Sequence, residues 1–365
     1  MTKSIEKYMR EITIISSVIG IYCFVFSGLM EFSLLIYPGI FFSFPYMLLR
    51  KRRFSYLFDK DYFILSITFI LTCVLNLLVT SNSLGGLFVL IANLCLTIFI
   101  LENSKRVHSH AKLIAIITLT YIAFKLFYLG TPPHEFYENF SRNIPGYFLV
   151  VFTIFYLFIS HINNKKFSLF IPIIAFIISI FLIGRSSLGV LLVLLLISIL
   201  YYLKRISKFL AFSLFILLMF IVENLAANIE IVKLYLETGF AKKGLESSRY
   251  DIWVSYFHNF TFIDFILGRD PHSVFIINMH DGNLHNSFMK FHSRMGIGFF
   301  IFMMYYFKSI YKYIIFKEYY LFFILILLSI RLFFDSMNFI SQFDFIFFSL
   351  MFYSLKNKDY NAKYG

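Results

Sequence analysis

The chain has 365 residues, of which 59% are hydrophobic and 15% charged, with a mean hydropathy of +0.78. Soluble globular domains are about 45–50% apolar and about 25% charged, so this composition disfavours a water-facing domain and predicts an integral membrane protein over 1–365. A formal net charge of +13 would suggest nucleic acid as the partner of a soluble protein. In a membrane protein the placement of the charge matters more than its sum, so no nucleic-acid partner is expected.

Apolar segments of about 20 residues, the length that crosses the hydrocarbon core of a bilayer, recur along the whole chain. They predict an all-α polytopic fold of about twelve transmembrane helices. The range is ten to twelve, because the boundary between the two spans of the first pair, and that between the two spans of the last pair, are the least sharply marked. The candidate spans are 12–30, 32–49, 62–80, 84–101, 113–130, 146–161, 167–184, 188–203, 209–225, 296–314, 319–335 and 338–354.

Clusters of lysine and arginine lie in every second gap between these spans, for example RKRR at 50–53 and KRISK at 204–208. The alternate gaps are short and poor in lysine and arginine. Because cytoplasmic loops carry an excess of these residues, we expect both termini in the cytoplasm. No small-residue cleavage site follows the first apolar run, which predicts a retained anchor.

One outer gap, residues 226–295, is the only extended non-membrane region. Within it, 247–260 predicts a short amphipathic helix with aromatic residues at helical spacing. Ser248 and Asp251 have the spacing of a capping box, and Gly268 followed by Pro271 predicts a helix stop and a turn.

The sequence has no phosphate-binding loop, no dinucleotide-binding glycine pattern and no HExxH zinc motif. The three cysteines lie in apolar runs and predict neither a disulfide nor a metal site. His280, Asp281, His285 and His292 match no standard ligand spacing, so we expect no metal and no cofactor.

Three polar residues are candidates for chemistry on the outer side. Arg185 in GRSSLGV suits binding of phosphate oxygens, or it is an interfacial arginine that reaches the headgroups. Arg249 in SSRYDIW lies in the first turn of the predicted helix, where anions are favoured, or it pairs with Glu246 or Asp251. His285 in LHNSF suits a general base, or it is a surface or helix-capping histidine.

Further polar residues lie near these three. Lys290 and Arg294 suit contacts with phosphate or lipid headgroups, and we expect Asn286, Arg269 and Trp253 to contribute to substrate binding. Inside the membrane, Arg331 and Asp335 are four residues apart and are predicted to pair on one helix face, which lowers the cost of burial. The pair is structural by default, or it lines a cleft for a lipid-linked substrate.

The order GRSSLGV, then a long outer loop with SSRYDIW, then LHNSFMKFHSRMGIGFF entering a helix resembles the O-antigen ligase and polymerase superfamily of bacterial envelope glycan assembly. Within it, the chain is most similar to the Wzy-type polymerases of O-antigen or capsule repeat units. The resemblance covers roughly 180–300, and the rest of the chain matches in hydropathy only. The outer loop is compact and a second large outer loop is missing, which departs from larger relatives.

The resemblance implies a multi-pass protein of the bacterial cytoplasmic membrane that polymerises glycans carried on undecaprenyl diphosphate. His285 would take the proton of the acceptor hydroxyl. Arg185 and Arg249 would stabilise the departing diphosphate, in a metal-independent, inverting transfer. Both donor and acceptor would be lipid-linked glycans, and a chain-length regulator protein is an implied partner.

Three alternatives remain at this stage. A structural membrane protein without chemistry would explain the hydropathy but not the placement of Arg185, Arg249 and His285. A ligase of the same superfamily would move finished polymer onto another carrier, and nothing in the sequence separates it from a polymerase. A flippase for lipid-linked oligosaccharides also suits twelve spans. Transporters place polar residues near the midplane in related halves, however, whereas the polar residues here gather beside one outer loop.

Overall fold

The computed structural model describes residues 2–28, 34–41, 60–79, 84–137, 143–182, 184–203, 249–335 and 339–356. Within these ranges the backbone forms helices and no strand. The helices are α1 Thr2–Ser27, α2 Lys60–Val79, α3 Leu84–Glu102, α4 Ser104–Ala123, α5 Ile144–Ile162, α6 Phe170–Phe181, α7 Arg185–Tyr202, α8 Arg249–Phe257, α9 Phe262–Leu267, α10 Phe275–Asn278, α11 Ser287–Met295, α12 Ile297–Ile315, α13 Tyr319–Phe333 and α14 Asp344–Lys356.

Five of the described helices are long and apolar enough to cross a membrane, which indicates a membrane-embedded, all-helical protein. They correspond to α1, α2, α3, α4 with its continuation through Phe124–Tyr128, and α5. Four shorter apolar helices, α6, α7, α13 and α14, lie where further spans were predicted. The predicted span 209–225 and most of 32–49 lie outside the described residues, so the count of twelve stays a prediction.

Several predicted boundaries agree with the structure within a few residues, whereas α4 begins nine residues earlier than its predicted span. Its first turns carry Lys105, Arg106 and Lys112, which the hydropathy pattern assigns to a loop. Arg106 donates to Glu11 at 2.9 Å, and both side chains are partly exposed. The helix therefore continues past the apolar segment into its basic flank.

The helix α5 lies at the centre of the bundle. It is apolar on every face and nearly all of its residues are buried, as expected for a helix surrounded by other helices. It packs against α4, α6, α7 and α13. By contrast, α2 exposes Phe63 and Leu71 by more than half of their surface, which suits contact with lipid chains.

The last helix begins at Asp344, six residues after the predicted start at 338. Residues 339–343 form turns instead, with Phe339 and Ile340 at positive φ. The buried carboxylate of Asp344 accepts the backbone N–H groups of Phe339 and Ser341, each at 2.8 Å. From α3, Asn93 donates to the Ser341 carbonyl at 2.8 Å and accepts the Phe345 N–H at 3.0 Å. These side chains satisfy backbone groups that would otherwise be buried without partners.

The described part of the outer segment, 249–295, contains α8 to α11 and is anchored to the bundle through close backbone contacts. Gly296, at φ +49, separates α11 from α12, and a Cβ there would lie 2.0 Å from the Ile266 carbonyl oxygen. From α2, Asn76 donates to the carbonyls of Leu267 and Ser293 at 2.5 and 3.2 Å. The predicted stop at Gly268 is confirmed: α9 ends at Leu267 and Gly268 has φ +88.

Candidate functional site

A fully buried arginine lies at the end of α13 that faces the outer segment. Arg331 has no exposed surface, and its Nη2 lies 3.0 Å from an oxygen of Asp335, which confirms the predicted i,i+4 pair. Nε also donates to the Ser187 hydroxyl at 3.1 Å, and Nη2 donates to the Asn143 carbonyl at 3.3 Å. The guanidinium lies 5.7 Å from the centre of the Tyr147 ring. The pair is therefore embedded in hydrogen bonds from three helix ends.

One donor of this guanidinium is left over. Nη1 of Arg331 is buried and has no hydrogen-bond partner among the described residues. A buried unsatisfied group in a native protein calls for an explanation, such as a bound ligand. A guanidinium presents its donors in a planar fork that matches carboxylate and phosphate, so the free donor suits an anionic group at this point.

The hairpin motif GRSSLGV reaches this arginine through Ser187. The helix α7 begins at Arg185, and Ser187 lies two residues into it. A Cβ on Gly146 of α5 would lie 2.6 Å from the Ser187 hydroxyl oxygen, so the missing side chain lets the two helices approach closely. The side chain of Arg185 lies outside the described residues, and its role stays a prediction.

The helix α11 adjoins the same pair from the outer segment. The Ser287 hydroxyl donates to the Asp335 backbone carbonyl at 2.5 Å. Immediately before it, Asn286 is 2% exposed, and its side-chain oxygen accepts the N–H groups of Phe288 and Met289 at 2.9 and 3.1 Å. Asn286 is thus the N-cap of α11, and its oxygen is committed to the backbone.

His285 precedes this cap and is only partly buried. Its backbone is left-handed, with φ +49, and its N–H donates to the Asn283 side chain at 2.9 Å. Neither ring nitrogen is hydrogen-bonded to any of the described residues. Burial lowers the pKa of His285, and the nearby charge of Arg249 lowers it further, against an opposing effect of Asp335. The ring is therefore mostly neutral near pH 7 and able to accept a proton.

The predicted partners Arg249 and His285 are thus brought together, since the charge of one acts on the pKa of the other. Arg249 is the first residue of α8, in agreement with the predicted first-turn position. Asp335 acts on the same histidine and is the residue paired with Arg331. The outer segment and the buried pair therefore form one electrostatic cluster.

Two further cations of α11 belong to this cluster, although part of each side chain remains accessible. Burial lowers the pKa of Lys290, Arg294 lowers it further, and the carboxylates of Asp344 and Asp335 oppose the shift. Burial likewise lowers the pKa of Arg294, whose Nη1 donates to the Ile340 carbonyl at 3.0 Å. Lys290 and Arg294 thus lie beside the buried turn that precedes α14.

The remaining predicted substrate contacts have structural partners. Trp253 donates its indole N–H to the Leu284 carbonyl at 3.0 Å, and its ring lies edge-on to Phe333 at 5.1 Å. This contact fixes α8 next to the His285 segment. Arg269 donates through Nη1 to the carbonyls of Tyr256 and His258 at 2.7 and 2.6 Å. It stabilises the C-terminal end of α8.

No group of three or more metal-ligating side chains occurs in the described ranges. His292, one of the histidines weighed as a ligand, is 4% exposed and lies 2.8 Å from the Tyr256 hydroxyl through Nδ1. Phe260, Phe299 and Phe300 surround it. Burial lowers the pKa of His292 to about 4, which makes it a neutral core histidine.

Two members of the cluster were not among the predicted site residues. Arg331 was predicted to pair with Asp335, with a structural role as the default, and its sequence signals were this spacing and its charge inside the membrane. Ser187 was quoted within a motif but given no role. A buried arginine and a hydroxyl more than a hundred residues away leave no local signal of their contact. Comparisons with family models, curated proteins and solved structures return no match to this chain.

Proposed function

We propose that this protein is a membrane glycosyltransferase that polymerises oligosaccharide repeat units carried on undecaprenyl diphosphate. The substrate class comes from the resemblance of three sequence motifs to Wzy-type polymerases. One observation supports the proposal further: Ser187 accepts a hydrogen bond from Arg331, and His285 lies within electrostatic reach of both Arg249 and Asp335, the partner of Arg331. Residues of the three motifs are therefore linked through the Arg331–Asp335 pair and His285. Residues that act in one reaction have to lie close together, and this arrangement meets that condition.

In the proposed reaction, an acceptor sugar hydroxyl attacks the anomeric carbon of the donor glycan. The new glycosidic bond forms as the bond to the diphosphate oxygen breaks, with inversion at that carbon. His285 takes the hydroxyl proton, for which its lowered pKa keeps it neutral. The electron pair leaves with the diphosphate, whose growing charge the cations of the site stabilise.

The cations divide between two positions in this proposal. Arg249 lies beside His285 and would contact the diphosphate near the reacting carbon. Arg331 is buried deeper, and its free Nη1 would bind a phosphate oxygen closer to the lipid. Arg185 would complete the site from the start of α7. A diphosphate is a good leaving group, so the proposed transfer would not require a metal ion.

The decisive experiment is the length profile of the surface glycan in the source strain. A deletion strain is compared with strains that express the wild type, His285→Gln or Arg249→Gln. His258→Gln and Arg106→Gln are matched controls, because both residues are exposed and lie outside the cluster. We expect the deletion and the two site variants to carry a single repeat unit at normal protein levels, and both controls to keep the full ladder.

Other outcomes of this experiment point elsewhere. Full-length polymer stranded on undecaprenyl diphosphate would identify a ligase. Repeat units trapped on the cytoplasmic side would identify a flippase. An unchanged ladder in the deletion strain would refute the proposal, and full activity of either site variant would remove that residue from the mechanism.

A further inference from the structure

A cavity of about 790 Å³ lies where α5 and α7 end and α13 begins. The basic clusters predict that this end of the bundle faces the cytoplasm. Along α13, Tyr320 in the cavity wall and Arg331 are eleven residues apart, or about 16 Å at the rise of an α-helix. The cavity is therefore separate from the cluster around His285.

Three lysines line this cavity: Lys165, Lys166 and Lys317. All three side chains are exposed, so their ammonium groups can turn toward a ligand. One carboxylate in the wall, that of Glu318, is 2.9 Å from Nε2 of His161. The described lining thus has more cationic than anionic groups, which favours an anionic ligand.

The cavity also adjoins an uncapped helix N-terminus. The N-cap residue of α13 is Glu318, and its side chain makes no capping hydrogen bond within the described structure. Its carboxylate faces His161 instead. The first N–H groups of α13 therefore keep their hydrogen-bonding capacity, and a helix N-terminus favours an anion.

Two polar atoms in the wall have no partner among the described residues: Nδ1 of His161 and the hydroxyl of Tyr319, both buried. Nδ1 of His161 donates or accepts according to the tautomer of the ring, and the Tyr319 hydroxyl can do either. Buried polar groups in native proteins have hydrogen-bond partners, so an ordered water, an ion or a polar group of a ligand would satisfy these two atoms.

Stacked rings form the apolar side of the cavity. Tyr201 and Tyr320 stack at 4.2 Å, and Phe167 stacks on Tyr320 at 5.7 Å. Tyr320 and Phe167 are buried, so this wall is fixed by packing. A ligand in this cavity would therefore contact the lysines and the N–H groups of α13 on one side and a rigid aromatic surface on the other.

We propose that this cavity binds the phosphate group of a hydroxylated ligand. The lysines and the N-terminus of α13 hold the phosphate oxygens, and the Tyr319 hydroxyl donates to one of them. A ligand hydroxyl, which can both donate and accept, pairs with Nδ1 of His161 in either tautomer. A phospholipid with a hydroxylated headgroup and a soluble phosphate ester both present this chemistry. The inference does not depend on the proposed function, because it concerns the opposite end of the bundle.

The test is isothermal titration calorimetry on the full chain in detergent. The probes are glycerol 1-phosphate, short-chain phosphatidylglycerol and, as a lipid without headgroup hydroxyls, short-chain phosphatidylcholine. The variants are the double substitution of Lys166→Gln with Lys317→Gln, and Tyr319→Phe. Lys105→Gln and Tyr311→Phe are matched controls, because both residues are exposed and neither lines the cavity.

We expect glycerol 1-phosphate or phosphatidylglycerol to bind, and the double lysine variant to weaken binding by about tenfold or more, since hydrogen bonds to charged groups contribute about 1.5–3 kcal/mol. Tyr319→Phe should weaken it less, and the controls should leave it unchanged. Binding of the soluble ester identifies a soluble ligand, and binding of phosphatidylglycerol alone identifies a lipid headgroup. The proposal is overturned if neither binds, if phosphatidylcholine binds equally well, or if Lys105→Gln has the same effect as the double variant.

Discussion

Replacing Arg331 with methionine should destabilise the protein far more than replacing a cation of an exposed ion pair. Arg331 is fully buried, and its loss removes the hydrogen bond to Ser187 and the guanidinium paired with Asp335. Breaking a buried pair by removing one partner costs about 3–5 kcal/mol, because an uncompensated charge stays buried. We expect the free energy of unfolding of Arg331→Met to fall by that amount.

The matched control is Lys308→Met. Lys308 lies 2.6 Å from Asp61, but its side chain is 44% exposed, and exposed pairs contribute at most about 1 kcal/mol. Both variants would be unfolded with denaturant in the same detergent, with helix content followed by circular dichroism. If Arg331→Met loses no more stability than Lys308→Met, the assignment of a buried, desolvated pair is wrong.

The double variant Arg331→Met with Asp335→Asn separates stability from function. It removes both charges, so we expect it to regain about 2 kcal/mol or more relative to Arg331→Met. If Arg331 binds the substrate diphosphate, glycan extension stays absent although the fold is restored. Recovery of both stability and extension would show that Arg331 has only a structural role.

Three further predictions concern the outer segment. Arg249→Gln should raise the pKa of His285, since it removes a positive charge that lowers it; titration of the ring signal by NMR would show this, and Arg249→Lys should keep the pKa low. The pKa of His292 is lowered to about 4 in the folded state, so its contribution to stability is present above the unfolded pKa of about 6.5 and is lost as the pH falls toward 4. In the wild type, the free energy of unfolding should therefore fall by at most about 3.4 kcal/mol between about pH 6.5 and about pH 4 because of this group. His292→Leu should remove this part of the pH dependence. Gly296→Ala should cost more than about 2 kcal/mol, because its Cβ would lie 2.0 Å from the Ile266 carbonyl oxygen at a positive φ; unfolding curves that match the wild type would contradict this.

Hydropathy predicted the central helices well because lipid requires long apolar segments whose backbone bonds are internal. The predicted spans 84–101 and 146–161 agree within two residues with α3 and α5. The error in the start of α4 has a simple cause: a helix can continue into water with basic residues on it, and hydropathy alone does not register that extension.

The polar interior was predictable only where its partners are close in sequence. The spacing of Arg331 and Asp335 predicted their pair, but their contacts with Ser187 and Asn143 depend on how three helices pack. The same holds for Asn93, which reaches the start of α14 across about 250 residues of chain. The motif containing His285 drew attention to the right segment, while the capping role of Asn286 became evident only from the backbone geometry.

The contact between Asn93 and the start of α14 has a consequence for biogenesis. Asn93 is synthesised about 250 residues before two of its hydrogen-bond partners, at Ser341 and Phe345. Before that, the Asn93 nitrogen can still donate to the Val89 carbonyl of its own helix and to the Tyr37 hydroxyl, at 2.9 and 3.1 Å, but a buried amide oxygen without a partner is costly. The side-chain oxygen of Asn93, which accepts the Phe345 N–H, therefore gains this partner only once α14 has been synthesised.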